Sequence, residues 1–197
     1  MFGWQAVEER QARLAVRQFI AAAQSGDFEK MGRNCLNDLQ DMGYCRGGGW
    51  RNAMRGVARL QAVHPDMIVF FTDLWYRQGE SLRENCDHDA ALTLGLWKLL
   101  TPYSGAAHLQ LYRGESEQDR RYRRVGLSWT VELEIAQHHA KRKRSHRGGG
   151  GVVIGALIPA SAIICGPLVS DTCEQEYLVD RKFLRHVPIK VHERFET

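Results

Sequence analysis

Two glutamates stand at i and i+2 in Asp171-Thr172-Cys173-Glu174-Gln175-Glu176-Tyr177-Leu178-Val179-Asp180, where the chain runs into an apolar strand. Residues two apart in a strand point to one face, which puts Glu174 and Glu176 side by side, about 6–7 Å apart along the backbone. Paired carboxylates in one cleft suit acid/base chemistry or the stabilisation of a developing cation. The same side chains also read as surface glutamates at a solvated strand end. Two upstream segments bear on the choice. Leu109-Gln110-Leu111-Tyr112-Arg113-Gly114 alternates apolar and polar residues and ends in an arginine beside a glycine that admits a close approach to the backbone. Val125-Gly126-Leu127-Ser128-Trp129-Thr130 is a second short strand with two hydroxyls, followed by the helical run Val131 to Gln137. In chain order these pieces supply an anion-binding arginine, an orienting serine and a carboxylate pair.

That set resembles the mono-ADP-ribosyltransferases, whose signature is an arginine, a serine and a glutamate on three strands. Tyr112-Arg113-Gly114 looks like the first-strand arginine motif and Ser128-Trp129-Thr130 like the Ser-x-Ser/Thr motif. Ile154 to Ile164 looks like the strand and turn leading into the toxin-turn loop, and Glu174-Gln175-Glu176 like that loop's Glu-x-Glu. The resemblance covers about Tyr103 to Val191. It departs at His138-His139-Ala140, where many relatives carry an aromatic-alanine pair, and the loop from Ile164 to Glu174 lacks an aromatic to grip an acceptor.

The resemblance implies a fold of paired antiparallel sheets with NAD in the cleft between them. It implies catalytic roles for Arg113, Ser128, Glu174 and Glu176, and NAD contacts from Arg113, Gly114, Ser128, Trp129 and Thr130. Glu176 would bond the ribose 2′-hydroxyl and steady positive charge at the anomeric carbon, with Ser128 orienting it. Arg113 would hold phosphate or ribose oxygens in a bidentate fork; the plainer reading is a strand-end arginine in a surface salt bridge. Trp129 reads as core packing ahead of stacking on the ligand. Glu174, two residues before the catalytic glutamate, goes in that family with transfer to arginine. The chain is thus expected to be an NAD-dependent ADP-ribosyltransferase, a glycosyltransferase of the bacterial toxin or effector type. The acceptor would be a target protein or nucleic acid, and the resemblance leaves open whether an antitoxin or immunity partner accompanies it. Transfer to RNA or DNA bases, and a non-catalytic nucleic-acid-binding module, are the alternatives.

The elements that must position these residues change character along the chain. Apolar residues recur at helical spacing from Gln5 to Gln24, with Val7, Leu14, Phe19, Ile20 and Ala23 as the stripe. Asp27 is placed to cap a second helix bearing Phe28, Met31, Cys35, Leu36 and Leu39. Arg46-Gly47-Gly48-Gly49-Trp50 reads as a turn, lacking the order of a phosphate-binding loop. Helices are expected at Asn52 to Val63, over Met67 to Tyr76 with Gly79 as a break, and at Ala90 to Leu100. Beyond Pro102 short strands follow at Leu109–Arg113, Val125–Thr130, Val152–Ile158, Tyr177–Asp180 and Ile189–Arg194, with Gly148 to Gly151 as a linker. The class is α+β, a helical region over 1–102 and a strand-rich catalytic region over 103–197.

Composition bounds the rest. The 197 residues, 44% hydrophobic and 25% charged, are those of an ordinary globular chain, and the net charge is +4. Basic residues cluster at Arg120, Arg121, Arg123 and Arg124 and again at Lys141, Arg142, Lys143, Arg144 and Arg147, favouring anionic partners or simply a solvated surface. Five cysteines, odd in number and without ligand spacing, fit reduced thiols, and Cys173 lacks a positioned base. His138 and His139 are adjacent and would face different sides of a helix, so no metal is expected. No stretch reaches the roughly 20 apolar residues of a membrane span. Met1 to Arg10 does not read as a secretory signal, so a cytoplasmic location, or delivery by another route, is expected.

Overall fold

The computed structural model describes residues 3–41, 48–143, 149–169 and 175–196. The chain divides into two compact units, Met1–Thr101 and Pro102–Thr197. No helix among the described residues is long and apolar enough to cross a membrane.

The first unit is helical: α1 (Gly3–Ser25), α2 (Cys35–Asp41), α3 (Gly49–Ala58), α4 (Pro65–Cys86) and α5 (Asp89–Leu99). The buried face of α1 keeps Phe19 and Ala23 of the expected stripe but not its first half. Val7 and Leu14 are exposed, whereas Ala12, Ala15, Phe19, Ala22 and Ala23 are buried. Their spacing is equally helical, and the small alanines let neighbouring helices approach. Phe19 then meets Trp50 of α3 edge-on at 5.3 Å between ring centroids and Phe71 of α4 at 6.3 Å. Asp27 caps as expected, accepting from the Glu29 amide, but what it caps is a short 3-10 turn, Phe28–Met31, and α2 begins later at Cys35. Gly48, in a left-handed conformation, caps α3, which starts at Gly49 inside the expected turn. Helix α4 continues through Gly79, and the break in its geometry falls at Gln78 (φ −138°, ψ 15°).

The second unit, β1 (His108–Ser116), α6 (Glu117–Arg121), β2 (Ser128–Thr130), α7 (Leu133–Lys143), β3 (Gly151–Pro159), β4 (Ile163–Val169), β5 (Gln175–Val179), α8 (Arg181–Leu184) and β6 (Lys190–Phe195), forms one antiparallel sheet in the order β4-β5-β2-β1-β3-β6. The α+β class is therefore as expected. Strand β4 was not foreseen: it occupies most of the stretch read as a loop after Ile164.

The pairing is uneven. Strands β1 and β3 pair along their whole length, from His108↔Pro159 to Ser116↔Gly151. Strands β1 and β2 pair at a single position, Tyr112↔Thr130. The sheet is thus two three-stranded halves, β4-β5-β2 and β1-β3-β6, joined by one register pair.

One face carries the apolar core, with Leu111, Trp129, Val152, Ile154, Ile158, Tyr177 and Val179 alternating inward. The other face receives α7, whose Ala136 and Ala140 pack with Val153 against Tyr112 and Phe195. Small residues make this contact possible: a side chain at Gly114 would run into the Ala136 carbonyl and Ala140 amide, and one at Gly151 into the Ala140 carbonyl. Gly149 and Gly150 both adopt φ of 86°, and the Gly150 carbonyl accepts from the Glu117 amide. Gly149 to Gly151 are therefore a fixed turn into β3; Gly148 lies outside the described residues.

Candidate active site

Cα pairing fixes which predicted residues share a face. Thr130 of β2 stands opposite Tyr112 of β1 on one side and Glu176 of β5 on the other. Opposed residues in antiparallel strands project to the same face, so Glu176, Thr130 and Tyr112 form a row on the face that bears α7. Gly155 of β3, opposite Tyr112, extends the row, and the ring of His192 lies edge-on to Tyr112 at 5.2 Å, close over that glycine. Ser128, two residues before Thr130 and opposite Leu178, shares this face and is a diagonal neighbour of Glu176. Directly opposite Glu176 stand Thr130 on β2 and Leu168 on β4.

Arg113 goes the other way. It follows Tyr112 in the strand and pairs with Ile154 of the apolar core, so its side chain leaves the opposite face from Glu176. The guanidinium, 11% exposed, donates from Nε to Glu115 Oε2 at 2.9 Å and from Nη1 to the main-chain carbonyl of Ser128. Gly126 makes room for it: a Cβ there would strike the guanidinium. The sequence reading that the structure favours for Arg113 is the ion pair, with the pairing turned inward to bridge the two halves of the sheet.

Glu115 is the centre of this bridge. Its oxygens accept from Arg113 Nε, from Lys143 Nζ at 2.7 Å, from the Ser116 amide at 3.1 Å and from the Gly126 amide at 3.2 Å. Burial alone would raise its pKa, but the charges of Arg113 and Lys143 and the hydrogen bonds they donate outweigh burial and hold the carboxyl at about 2. The Gly126 and Ser128 contacts do between β1 and the approach to β2 what a backbone ladder does elsewhere in the sheet.

The remaining predicted residues divide. Trp129 is 2% exposed in the core, so it packs rather than faces a ligand. Gly114 is buried, and the backbone that approaches it is that of α7, not of a ligand. Thr130 is buried and its Oγ1 accepts from the Glu132 amide, which fixes the turn leading into α7. Glu174 and Cys173 lie outside the described residues. Cys165 of β4 is buried beside Glu176; burial first, then the negative charge of Glu176, pushes its thiol up to about 12, which leaves it unreactive. Among the described residues no group of His, Cys, Asp or Glu is placed to hold a metal ion.

No family model, curated protein or solved structure matches the chain. The functional reading therefore rests on the site itself.

Sequence reasoning missed Glu115, Lys143, Tyr112 and His192 as site residues. Glu115 had a signal, since an arginine and a glutamate at i and i+2 in a strand share a face. Lys143 and His192 had none, because each reaches the site through packing between distant segments.

Proposed function

We propose that this protein is an ADP-ribosyltransferase that uses NAD, with Glu176 as the catalytic carboxylate. The observation that carries the reading is the row Glu176, Thr130, Tyr112 across β5, β2 and β1, at the backbone register pair that joins the two halves of the sheet. A sheet split in this way is compatible with paired antiparallel sheets around a cleft, the fold that the motif resemblance implies.

The residues on this face fit the ribose and nicotinamide end of NAD: a carboxylate, two hydroxyls from Ser128 and Thr130, and the aromatic rings of Tyr112 and His192. NAD supplies an ADP-ribosyl group through scission of its bond from ribose to nicotinamide. Glu176 places negative charge where positive charge develops at the anomeric carbon and accepts a hydrogen bond from a ribose hydroxyl. Thr130, directly opposite, orients Glu176, with Ser128 on the diagonal. Arg113 takes a positioning role in place of the phosphate contact expected from the motif: it holds the Ser128 carbonyl, and through it the register of β2 against β1. Glu174 carries the further proposal that the acceptor is an arginine, whose proton it would take up.

The test is nicotinamide release from NAD by the purified protein and by Glu176→Gln, with labelled NAD in cell lysate to locate the product. Release that depends on Glu176, with label in protease-sensitive material, supports the reading. Equal release by both forms, or none by either, removes it.

A further inference from the structure

Glu117 and Asp119, the acidic residues of the segment between β1 and β2, are drawn inward. Glu117 is buried and paired with Arg120 Nη2 at 2.6 Å and Arg121 Nε at 3.2 Å, and Asp119 accepts from the Ser116 hydroxyl at 2.8 Å. What the segment presents to solvent is Arg121, Tyr122, Arg123 and Arg124, with Tyr122 66% exposed.

The backbone that carries these side chains closes in a hydrogen-bonded turn. Helix α6 ends in a reversal in which the Arg124 amide donates to the Asp119 carbonyl at 2.7 Å and the Arg123 amide to the Arg120 carbonyl at 3.1 Å. This is a Schellman closure, and its left-handed position is occupied by Arg123, at φ of 55°. Glycine is the favoured residue there, so an arginine is retained against a backbone preference. The reversal brings the Arg124 guanidinium over the Tyr122 ring, 5.6 Å from its centroid. A second segment joins from far along the chain: Arg181 of α8 donates from Nη2 to the Arg123 carbonyl at 2.6 Å. Arg185, one helical turn on, is exposed and lies on the same side of the helix as Arg181. The carboxylate at the start of α8, Asp180, is buried and accepts from the Lys182 amide as its cap.

The result is an exposed aromatic ring partly covered by the Arg124 guanidinium, with exposed Arg121 and Arg123 beside it in the chain and Arg181 bonded to the Arg123 carbonyl, while Glu117, Asp119 and Asp180 are engaged in bonds within their own segments. An acidic protein face would need the cations but not an exposed ring set among them. A single strand of nucleic acid uses both, cations along its phosphates and an aromatic ring beneath an unstacked base. We propose that Tyr122, Arg123 and Arg124, with Arg181 of α8 and Arg185 just after it, form a binding surface for single-stranded nucleic acid. The surface shares no residue with the row of Glu176, Thr130 and Tyr112 and does not depend on the NAD chemistry.

The test is fluorescence anisotropy of a labelled 20-nucleotide oligo-uridine or oligo-thymidine with the full chain, without NAD, over a range of salt. Tyr122→Ala is expected to weaken binding about tenfold through loss of stacking. Arg123→Gly, which suits the left-handed backbone and so preserves or raises thermal stability, is expected to lower the slope of log affinity against log salt by about 0.7. Glu176→Gln is expected to bind like the wild type, which separates this surface from the transferase reading. Binding unchanged in Tyr122→Ala, or a poly-glutamate peptide competing as well as the oligonucleotide, overturns the proposal; the latter would mark the surface as a dock for acidic protein.

Discussion

Arg113 of β1 donates from Nη1 to the main-chain carbonyl of Ser128 at the start of β2, two strands that otherwise meet at a single register pair. A side chain here replaces part of a ladder. Because the same guanidinium is also buried against Glu115, removing it leaves a carboxylate with Lys143 as its remaining cationic partner. Because Lys143 and two amides still serve Glu115, Arg113→Ala is expected to destabilise the protein by about 1.5–3 kcal/mol, the range for losing a charged hydrogen-bond partner. Arg113→Lys is expected to recover part of this but not the bond to Ser128, since an ammonium cannot serve both acceptors in the same geometry. Urea denaturation of the three forms checks the order.

Acid should act on the same cluster. Glu115 is held at about 2 against an ordinary value of 4.5, and Glu117 also at about 2, chiefly by its hydrogen bond from Arg120 against the effect of burial. A carboxylate acidified by folding binds fewer protons in the folded chain than in the unfolded one, so its contribution is full above pH 4.5 and is lost as pH falls toward 2. Between pH 7 and pH 2.5 the wild type is expected to lose on the order of 2–3 kcal/mol through Glu115 that Glu115→Gln does not lose. Unfolding free energies at the two pH values give the comparison.

Glu176 should matter to chemistry and little to folding, because it is half-buried near the start of β5. Glu176→Gln is expected to lower nicotinamide release by about 100-fold or more with its melting temperature close to that of the wild type. Thr130→Val, which keeps the shape and removes the hydroxyl, is expected to lower release less, and to cost some stability because the Glu132 amide loses its acceptor.

Gly114 offers a steric test of the contact between sheet and helix. A methyl group at this position meets the backbone of α7, which cannot yield as a flexible side chain can. Gly114→Ala is expected to cost about 1–3 kcal/mol, read as a lower urea midpoint.

Thiol reagents should pass over the buried cysteines. Cys35 and Cys86 are raised to about 11 and Cys165 to about 12, burial being the first cause in each case. Peptide mapping after brief alkylation of the folded protein at pH 8 is expected to find all three unmodified, with modification appearing on denaturation.

Local pattern explains what could be read from the sequence. The helical half and the strand-rich half, with the change near Pro102, follow from periodicity; alternation places the strand ending in Arg113 and a short run the one bearing Ser128, whereas Glu176 reads as the residue just ahead of a strand that in fact contains it. What could not be read depends on contacts between segments. The direction of Arg113 followed from the register of β1 against β3, which no single strand encodes. The buried face of α1 ran through alanines because its neighbours lie close, a fact that hydrophobicity alone hides by favouring Val7 and Leu14. Strand β4 was lost because Gly166 and Pro167 punctuate it and read as loop. The ring of His192 reached Tyr112 only because β3, with Gly155 at the crossing, lies between their strands.

A sheet whose halves share one backbone register pair is a sheet with a seam. In native-state hydrogen exchange such a seam marks a boundary between cooperative units, and opening there requires breaking Arg113 and Glu115 contacts more than ladder bonds. Any molecule that touches Glu176 on one side and Tyr112 on the other spans that boundary. Its binding would be felt as resistance to opening, raising the stability of the folded state by RT ln(1 + [L]/Kd). The junction that is easiest to part is therefore the one a ligand is best placed to close.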